Sequence, residues 1–309
     1  MPRSGTTAVG DVLATAAKTA VLHEPLNYLV GLRDVPHYFA FPGGGEVTKT
    51  SFDRWVADIG ALRLRYKPGV FPREKGLQRL AKRVLGGRAV NSYRRCVWTP
   101  GLDTLIWKDP FACLAAPYLH EVHGIPVVVT LRNPWAVAAS FKRMRWAFDL
   151  DDIFTRVQSA GQQNSFFDKQ IWLRRNEPVV NAALLWAIVY SSLRDLLTQE
   201  DGLIGLSLDE LIERPASVYA ALFDRLGLSW TKSVERAIVS RYQGEKSEPQ
   251  VPLGEKAHDR KRDLASINQY WRNLLDADEQ ALITELCGEL WGIIGDLRMV
   301  DSPAADPLA

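Results

Sequence analysis

The first residues of the chain have the types and spacing that could hold a phosphate group. One glycine, hydroxyl side chains and a cation stand together in the run Pro2-Arg3-Ser4-Gly5-Thr6-Thr7, and a helix-like stretch follows. Backbone N–H groups at a helix N-terminus point at a bound anion, the helix dipole favours negative charge, and arginine and hydroxyl side chains add hydrogen bonds. The predicted anion-binding residues are Arg3, Ser4, Gly5, Thr6 and Thr7.

Two further cations stand at the ends of strand-like runs. Lys108 follows the apolar residues 104–107, and Arg132 follows the β-branched run 125–131. The carboxyl ends of parallel strands meet at one edge of a sheet, so these two cations and Arg3 are expected to converge on one crevice. Three converging cations favour a ligand with more than one phosphate or sulfate group. The alternative is that each is a solvated cation on the rim of the sheet.

Glu24 is the predicted general base of such a site, because it ends a short strand-like run at the same edge of the sheet. His23 is the rival base. If the strand continues, alternation points the His23 side chain away from that of Glu24, and Pro25 then bends the chain. A third interpretation leaves Glu24 in a salt bridge with Arg3 or Arg33 and without a catalytic role.

Composition argues against several classes of partner and site. A net charge of +2 is too small to indicate a nucleic-acid partner, and no run of 18 apolar residues predicts a membrane span. Cys96, Cys113 and Cys287 lack metal-like spacing and are expected to be reduced thiols. The glycine of the opening loop is followed by threonine and not by the lysine of a nucleoside-triphosphate loop, so no triphosphate–Mg²⁺ complex is predicted.

Alternation of strand-like and helix-like segments predicts an α/β protein with a doubly wound parallel sheet and ligands at its carboxyl edge. Helices are predicted over residues 11–18, 111–123 and 179–197, the last of them long and apolar, and a polar loop over residues 243–263. Asn133 and Pro134 have the types that cap and begin a helix. Residues 31–100 are rich in aromatic side chains, lysine and arginine, and we expect a largely helical insertion there, on the acceptor side. Residues 1–300 are predicted to form one domain, and residues 301–309 a disordered tail.

Four segments, in this order, resemble motifs of the sulfotransferase superfamily. Residues 2–7 resemble its 5′-phosphosulfate loop. Lys108-Asp109-Pro110 is similar to the Lys-Asp-Pro of tyrosylprotein, carbohydrate and bacterial members. Residues 132–141 resemble its 3′-phosphate motif, an arginine with a serine eight positions later. Residues 207–211, with a proline-led helix ending in Leu-Gly-Leu, are similar to a further landmark of the family.

This resemblance implies a three-layer parallel sheet of the P-loop type. It also implies 3′-phosphoadenosine-5′-phosphosulfate (PAPS) as co-substrate, adenosine 3′,5′-bisphosphate as product, and no metal. The opening loop would hold the 5′-phosphosulfate, and Arg132 with Ser140 would hold the 3′-phosphate. Lys108 and Arg3 would stabilise charge on the leaving oxygen, while Glu24 takes the acceptor's proton. Late in the chain, residues 258–262 and Ser266 are candidates for closing over the nucleotide.

The predicted reaction is sulfuryl transfer to a hydroxyl of a carbohydrate, a glycolipid or another small metabolite. Two alternatives remain: a phosphotransferase related to P-loop nucleotide kinases, and a degenerate nucleotide-binding module. A phosphate loop normally follows a buried strand, so we expect that the first strand is truncated and that residues upstream are missing. The expected location is cytoplasmic.

Overall fold

The computed structural model describes residues 1–68, 76, 86–161, 167–242 and 268–300. These residues form a mixed α/β structure. The strands are β1 (Thr19–His23), β2 (Thr104–Lys108), β3 (Val128–Leu131) and β4 (Ile204–Ser207). The helices are α1 (Thr6–Leu13), α2 (Lys49–Gly60), α3 (Arg88–Trp98), α4 (Ala116–Glu121), α5 (Pro134–Met144), α6 (Leu150–Ser159), α7 (Lys169–Leu173), α8 (Pro178–Leu197), α9 (Leu208–Glu213), α10 (Pro215–Arg225), α11 (Lys232–Tyr242), α12 (Trp271–Leu274) and α13 (Ala277–Ile294), with a 3₁₀ turn at Cys113–Ala115.

The strands pair in parallel, as the alternation of segments predicts. β1 pairs with β2 in a register that sets His23 opposite Lys108, and β3 pairs with β4 so that Leu131 lies opposite Ser207. The described residues thus form two two-stranded sheets, and a single three-layer sheet stays a prediction. The β1–β2 register already brings the predicted base region to the predicted lysine.

The core is built around α8, the predicted apolar helix, whose residues are buried along most of its length. Trp186 Nε1 donates to the carbonyl of Arg132 (3.1 Å), and the Tyr190 hydroxyl donates to the carbonyl of Thr130 (2.8 Å). By length and composition α8 could cross a membrane. However, 72% of its 18-residue apolar stretch is buried inside the fold, as in the core helix of a globular protein. Its two aromatic donors fix the end of β3.

The cap predicted at the start of α5 is confirmed. The Asn133 side chain accepts a hydrogen bond from the Ala136 N–H (2.7 Å), and Pro134 occupies the first helical position. This cap directs α5 away from the end of β3 directly after Arg132. The three cysteines are buried and free, as expected for reduced thiols.

Several predicted boundaries are wrong. The first helix, expected over residues 11–18, spans Thr6–Leu13, because Gly5 in a left-handed conformation (φ 93°) turns the chain directly into it. β3 begins only at Val128, two residues after Pro126, which has no N–H to donate to a neighbouring strand. A helix expected over residues 111–123 is reduced to the 3₁₀ turn and α4.

The largely helical insertion expected over residues 31–100 stays a prediction, because part of this segment lies outside the described residues. Its described part has α2 and α3, while residues 31–48 form turns in which glycine and proline interrupt regular structure. The predicted polar loop at residues 243–263, the candidate closing residues 258–262 and Ser266, and the predicted tail 301–309 lie outside the described residues.

Candidate functional site

The carboxyl ends of β1 and β2 bring three predicted site residues together. Lys108 Nζ donates to Glu24 Oε1 at 2.7 Å and lies 3.4 Å from His23 Nε2. The second Glu24 oxygen accepts from Asn27 Nδ2 at 2.9 Å. Lys108 is 7% exposed, so this ion pair is largely shielded from water. Glu24 thus forms an ion pair with Lys108, whereas the third interpretation of the sequence named Arg3 or Arg33 as its partner.

The backbone at Glu24 explains why His23 also reaches this cluster. The strand ends at His23, and Glu24 adopts a left-handed conformation with φ 51° while its N–H donates to the Lys108 carbonyl (2.8 Å). The strand therefore does not continue, and the alternation that would separate the two side chains is lost. His23 Nδ1 lies 3.7 Å from Glu24 Oε1. A non-glycine residue in this conformation is uncommon, and such residues concentrate at functional sites.

The electrostatic surroundings keep Glu24 ionised. Burial by itself would raise the pKa of Glu24, but the charge of Lys108, then His23, and hydrogen bonds from Lys108 and Asn27 hold that pKa below its ordinary value. The carboxylate can therefore accept a proton across the neutral pH range. Its basicity is restrained for as long as Lys108 remains bonded to it.

Asp109 is a structural residue of the loop after β2. Its carboxylate accepts hydrogen bonds from the N–H groups of Leu26 (2.6 Å) and Phe111 (2.9 Å) and from the indole of Trp107 (3.3 Å). Complete burial, reinforced by the negative charge of Glu24, raises the pKa of Asp109 to about 7, despite the backbone hydrogen bonds and the charge of Lys108. Asp109 thus ties the turn after Glu24 to the loop that carries Lys108.

We expect Asp109 to make the free energy of unfolding fall as the pH rises. Its pKa is about 7 in the folded chain and about 3.9 when unfolded, so between these values the folded state binds the extra proton. Stability is greatest below the unfolded pKa, and each pH unit up to the folded pKa costs as much as about 1.4 kcal/mol. Urea titrations through this range measure the slope. An unchanged slope in the Asp109→Asn variant would contradict the assignment.

The predicted anion loop opens onto the N-terminus of α1. Arg3 (φ 69°) and Gly5 (φ 93°) both have positive φ, as in turns whose backbone N–H groups form anion-binding concavities. Within the part of the chain that the structure describes, no side chain caps α1. The N–H groups of Thr6 and Thr7, in its first turn, are therefore available to an anion.

Helix α1 connects the anion loop to the Glu24–Lys108 pair. Gly10 packs on the stem of Lys108, where an added Cβ would lie 3.3 Å from the lysine Cγ. Gly10 is about one helical turn from the N-terminus of α1. A glycine at this position allows the lysine to lie against the helix, and it is a signal of close approach that the sequence analysis overlooked.

A second cationic cluster forms where β3 meets α5. Arg3 Nε donates to Ser140 Oγ (2.7 Å), and Arg132 Nη1 donates to the Arg3 carbonyl (2.7 Å). Arg132 is 3% exposed, and its Nε also donates to Asn268 Oδ1 (3.3 Å). The structure thus brings Ser140 and Arg132 together at the opening loop, and their role at a 3′-phosphate stays a prediction. Burial lowers the pKa of Arg132, partly offset by Tyr270 and Asp209.

Ser4 has a different role from the other residues of the loop. It is completely buried, and its hydroxyl donates to the Met1 carbonyl (2.6 Å) and shares a hydrogen bond with Thr130 Oγ1 (2.7 Å). The hydroxyl therefore anchors the loop to β3 and does not face an anion. The backbone N–H of Ser4 is the group of this residue for which anion binding stays a prediction.

Two asparagines complete the site and were missed by the sequence analysis. Asn27 holds Glu24 from the following turn, and a hydrogen-bonding side chain three residues after the candidate base could have revealed it. Asn268 contacts Arg132 and Asn133 and donates to Asp209, yet it is distant from all three in sequence. No local pattern indicates such a partner.

No protein-family model and no curated protein matches the chain. Among solved structures, the sulfotransferase domain of the olefin synthase from Synechococcus PCC 7002 is similar, with a TM-score of 0.42 and 16% sequence identity. The match covers 92% of this chain and 90% of that one. The likeness is loose, so the function proposed below rests on the chain's own residues.

Proposed function

We propose that the chain is a sulfotransferase that moves the sulfuryl group of PAPS to an acceptor hydroxyl. One observation carries this proposal: the stem of Lys108, whose ammonium is paired with Glu24, packs on Gly10 of α1, about one turn from the helix end that carries the anion loop. A base, a cation and a set of N–H donors are therefore next to each other, as transfer of an anionic group to a hydroxyl requires.

Two groups of site residues fit the two ends of PAPS. The loop from Arg3 to Thr7 and the N-terminus of α1 would hold the 5′-phosphosulfate. Arg132 and Ser140 would hold the 3′-phosphate. Arg132 is buried, and its Nη1 and Nε donate to the oxygens of Arg3 and Asn268, which holds the guanidinium at the opening loop.

The chemistry needs a proton acceptor and a cation at the leaving oxygen. The acceptor oxygen forms a bond to sulfur as the bond from sulfur to the bridging phosphate oxygen breaks, and Glu24 takes the hydroxyl proton. Lys108 stabilises the negative charge that collects on the bridging oxygen. A donor anion beside Lys108 competes with Glu24 for the ammonium, and weakening that ion pair raises the proton affinity of the carboxylate. Donor binding thereby activates the base.

We expect Arg132→Ala to raise the Kd for adenosine 3′,5′-bisphosphate about 10- to 150-fold, because a hydrogen bond to a charged group contributes about 1.5–3 kcal/mol. Calorimetric titration measures this change. Arg132→Lys keeps the charge but not the two-pronged geometry and should recover only part of the affinity. Arg174→Ala is the matched control, since Arg174 is an exposed arginine paired with Glu177. An unchanged Kd in Arg132→Ala would contradict the proposed 3′-phosphate site.

Titration of the unaltered chain with ADP and with ATP–Mg²⁺ separates the other functions. Tighter binding of adenosine 3′,5′-bisphosphate supports the sulfotransferase. Tighter binding of ATP–Mg²⁺ would contradict it and favour a phosphotransferase, and binding of none of the three would favour a degenerate nucleotide-binding module. A carbohydrate or glycolipid acceptor and a cytoplasmic location remain predictions.

A further inference from the structure

A cavity of about 460 Å³ opens beside the turn that follows Glu24. The residues that line it include the aromatic Tyr28, Tyr38 and Phe148 and the acidic Glu46, Asp149 and Asp152, together with His37 and Arg156. Ligand sites in proteins have volumes of this order and a mainly apolar lining with a few polar groups.

The aromatic wall is connected directly to the candidate base. Tyr28 follows Asn27, whose side chain donates to Glu24, and the Tyr28 ring packs edge-on against Tyr38 with centroids 5.5 Å apart. Burial first, and then the negative charge of Glu24, raise the pKa of Tyr38 to about 12. Tyr38, which lines the cavity, is therefore close enough to Glu24 for the carboxylate charge to act on its hydroxyl.

Two buried side chains hold this wall in place. Arg156 donates to the carbonyls of Tyr38 (3.0 Å) and Phe39 (3.1 Å), which fixes the backbone that carries the Tyr38 ring. Asn181 on α8 accepts from the N–H of Phe148 (2.9 Å) and donates to its carbonyl (2.8 Å). The rings are thus positioned before any ligand binds, which lowers the entropic cost of binding.

The charges around the cavity favour one class of ligand. The cavity lining contains one guanidinium, that of Arg156. Its Nε and Nη2 both donate to Asp152, so the carboxylate of Asp152 neutralises this cation. Glu46 and Asp149 add two exposed carboxylates. Nearby, the Lys67 ammonium donates to the carbonyls of Tyr28 and Val35 and stands 4.5 Å from the centroid of the Tyr28 ring, so Tyr38 and Phe148 are the rings proposed to meet a ligand. Aromatic faces beside excess negative charge attract cations and repel anions.

We propose that this cavity binds the acceptor, and that the acceptor is a hydroxyl compound with an apolar ring face that is neutral or carries an ammonium group. Anionic acceptors, including carbohydrates that already carry sulfate or carboxylate groups, are rejected. The role as acceptor site rests on the proposed function, but binding to the cavity can be measured without it.

Three para-substituted phenols of similar size test the charge preference: tyramine, 4-ethylphenol and 4-hydroxyphenylacetate. Calorimetric titration of the unaltered chain should give a Kd for 4-hydroxyphenylacetate at least about tenfold above that for tyramine, with 4-ethylphenol between them. Equal or tighter binding of the anion, or binding of none of the three, would overturn the assignment.

Variants locate the binding site. Phe148→Ala should raise the Kd of all three phenols about tenfold through loss of ring contact, and Phe148→Leu, which keeps more of the packing, should give a smaller rise. Trp98→Ala removes an aromatic ring that is 75% exposed and serves as the matched control. The double variant Glu46→Gln/Asp149→Asn should bring the Kd values of tyramine and 4-hydroxyphenylacetate closer together, because it removes two negative charges beside the cavity. The fold should be kept, since asparagine can still cap α6.

The two proposals fail in different measurements. If the phenols bind with the expected preference but adenosine 3′,5′-bisphosphate does not bind, the sulfotransferase proposal fails and the cavity remains a site for neutral or cationic ring compounds. If the bisphosphate binds and sulfuryl transfer proceeds equally well to 4-hydroxyphenylacetate and tyramine, the acceptor assignment fails alone.

Discussion

Replacing Glu24 by glutamine is expected to lower kcat for sulfuryl transfer by about 10²- to 10⁴-fold, the usual contribution of a positioned general base. Glutamine has the shape of glutamate and can still accept a hydrogen bond from Lys108, so the site should keep its geometry. The Kd for adenosine 3′,5′-bisphosphate should not rise, because Glu24 contacts none of the predicted phosphate ligands and its removal frees Lys108 from a competing carboxylate. Steady-state kinetics and calorimetry on the same preparation measure the two quantities.

Two further variants decide whether Glu24 is the base. His23→Gln removes the rival, and its kcat should fall much less than that of Glu24→Gln. Glu177→Gln alters an exposed glutamate paired with Arg174 and should leave kcat unchanged. A carboxylate base also keeps its activity when the pH falls through the histidine range, whereas a histidine base loses it near its ordinary pKa of about 6.5. Full turnover in Glu24→Gln would remove Glu24 from the mechanism.

That Glu24 and Lys108 lie at one edge of the sheet could be predicted from the sequence because it depends on strand register. Their ion pair was not predicted, since the partners named for Glu24 were Arg3 and Arg33. Apolar runs identified β1 and β2, and parallel pairing then placed both carboxyl ends together. The side-chain geometry could not be predicted in the same way. The left-handed turn at Glu24 cancels the expected separation from His23, and no propensity rule assigns such a conformation to glutamate.

Partners distant in sequence were the least predictable part of the site. Asn268 and Ser140 both lie more than one hundred residues from the groups that they contact, Arg132 and Arg3. Only the family resemblance connected Ser140 with the anion site. For Ser4 the prediction of an anion-binding side chain was wrong, because its hydroxyl points inward and shares a hydrogen bond with Thr130. Residue type indicated hydrogen bonding in each case but not the direction of the bond.

Lys108→Met is expected to affect both stability and catalysis. Loss of the ammonium leaves Glu24 without its cation in a largely buried site, and breaking a buried pair in this way costs about 3–5 kcal/mol. The lower end applies because Glu24 retains 18% side-chain exposure. Loss of the charge that stabilises the leaving oxygen should lower kcat about 10²- to 10³-fold. Urea denaturation and steady-state kinetics measure the two effects.

The double variant Lys108→Met/Glu24→Gln separates these effects. Without a buried carboxylate to leave uncompensated, the double variant should recover most of the lost stability, while its kcat stays at or below that of Lys108→Met. Lys142→Met is the matched control, since the Lys142–Glu279 pair has the same 2.7 Å separation but more exposed side chains, at 35% and 21%. It should cost less stability and leave kcat unchanged. If Lys108→Met loses stability but keeps its kcat, Lys108 only supports the fold and the leaving oxygen must be stabilised by the loop that carries Arg3.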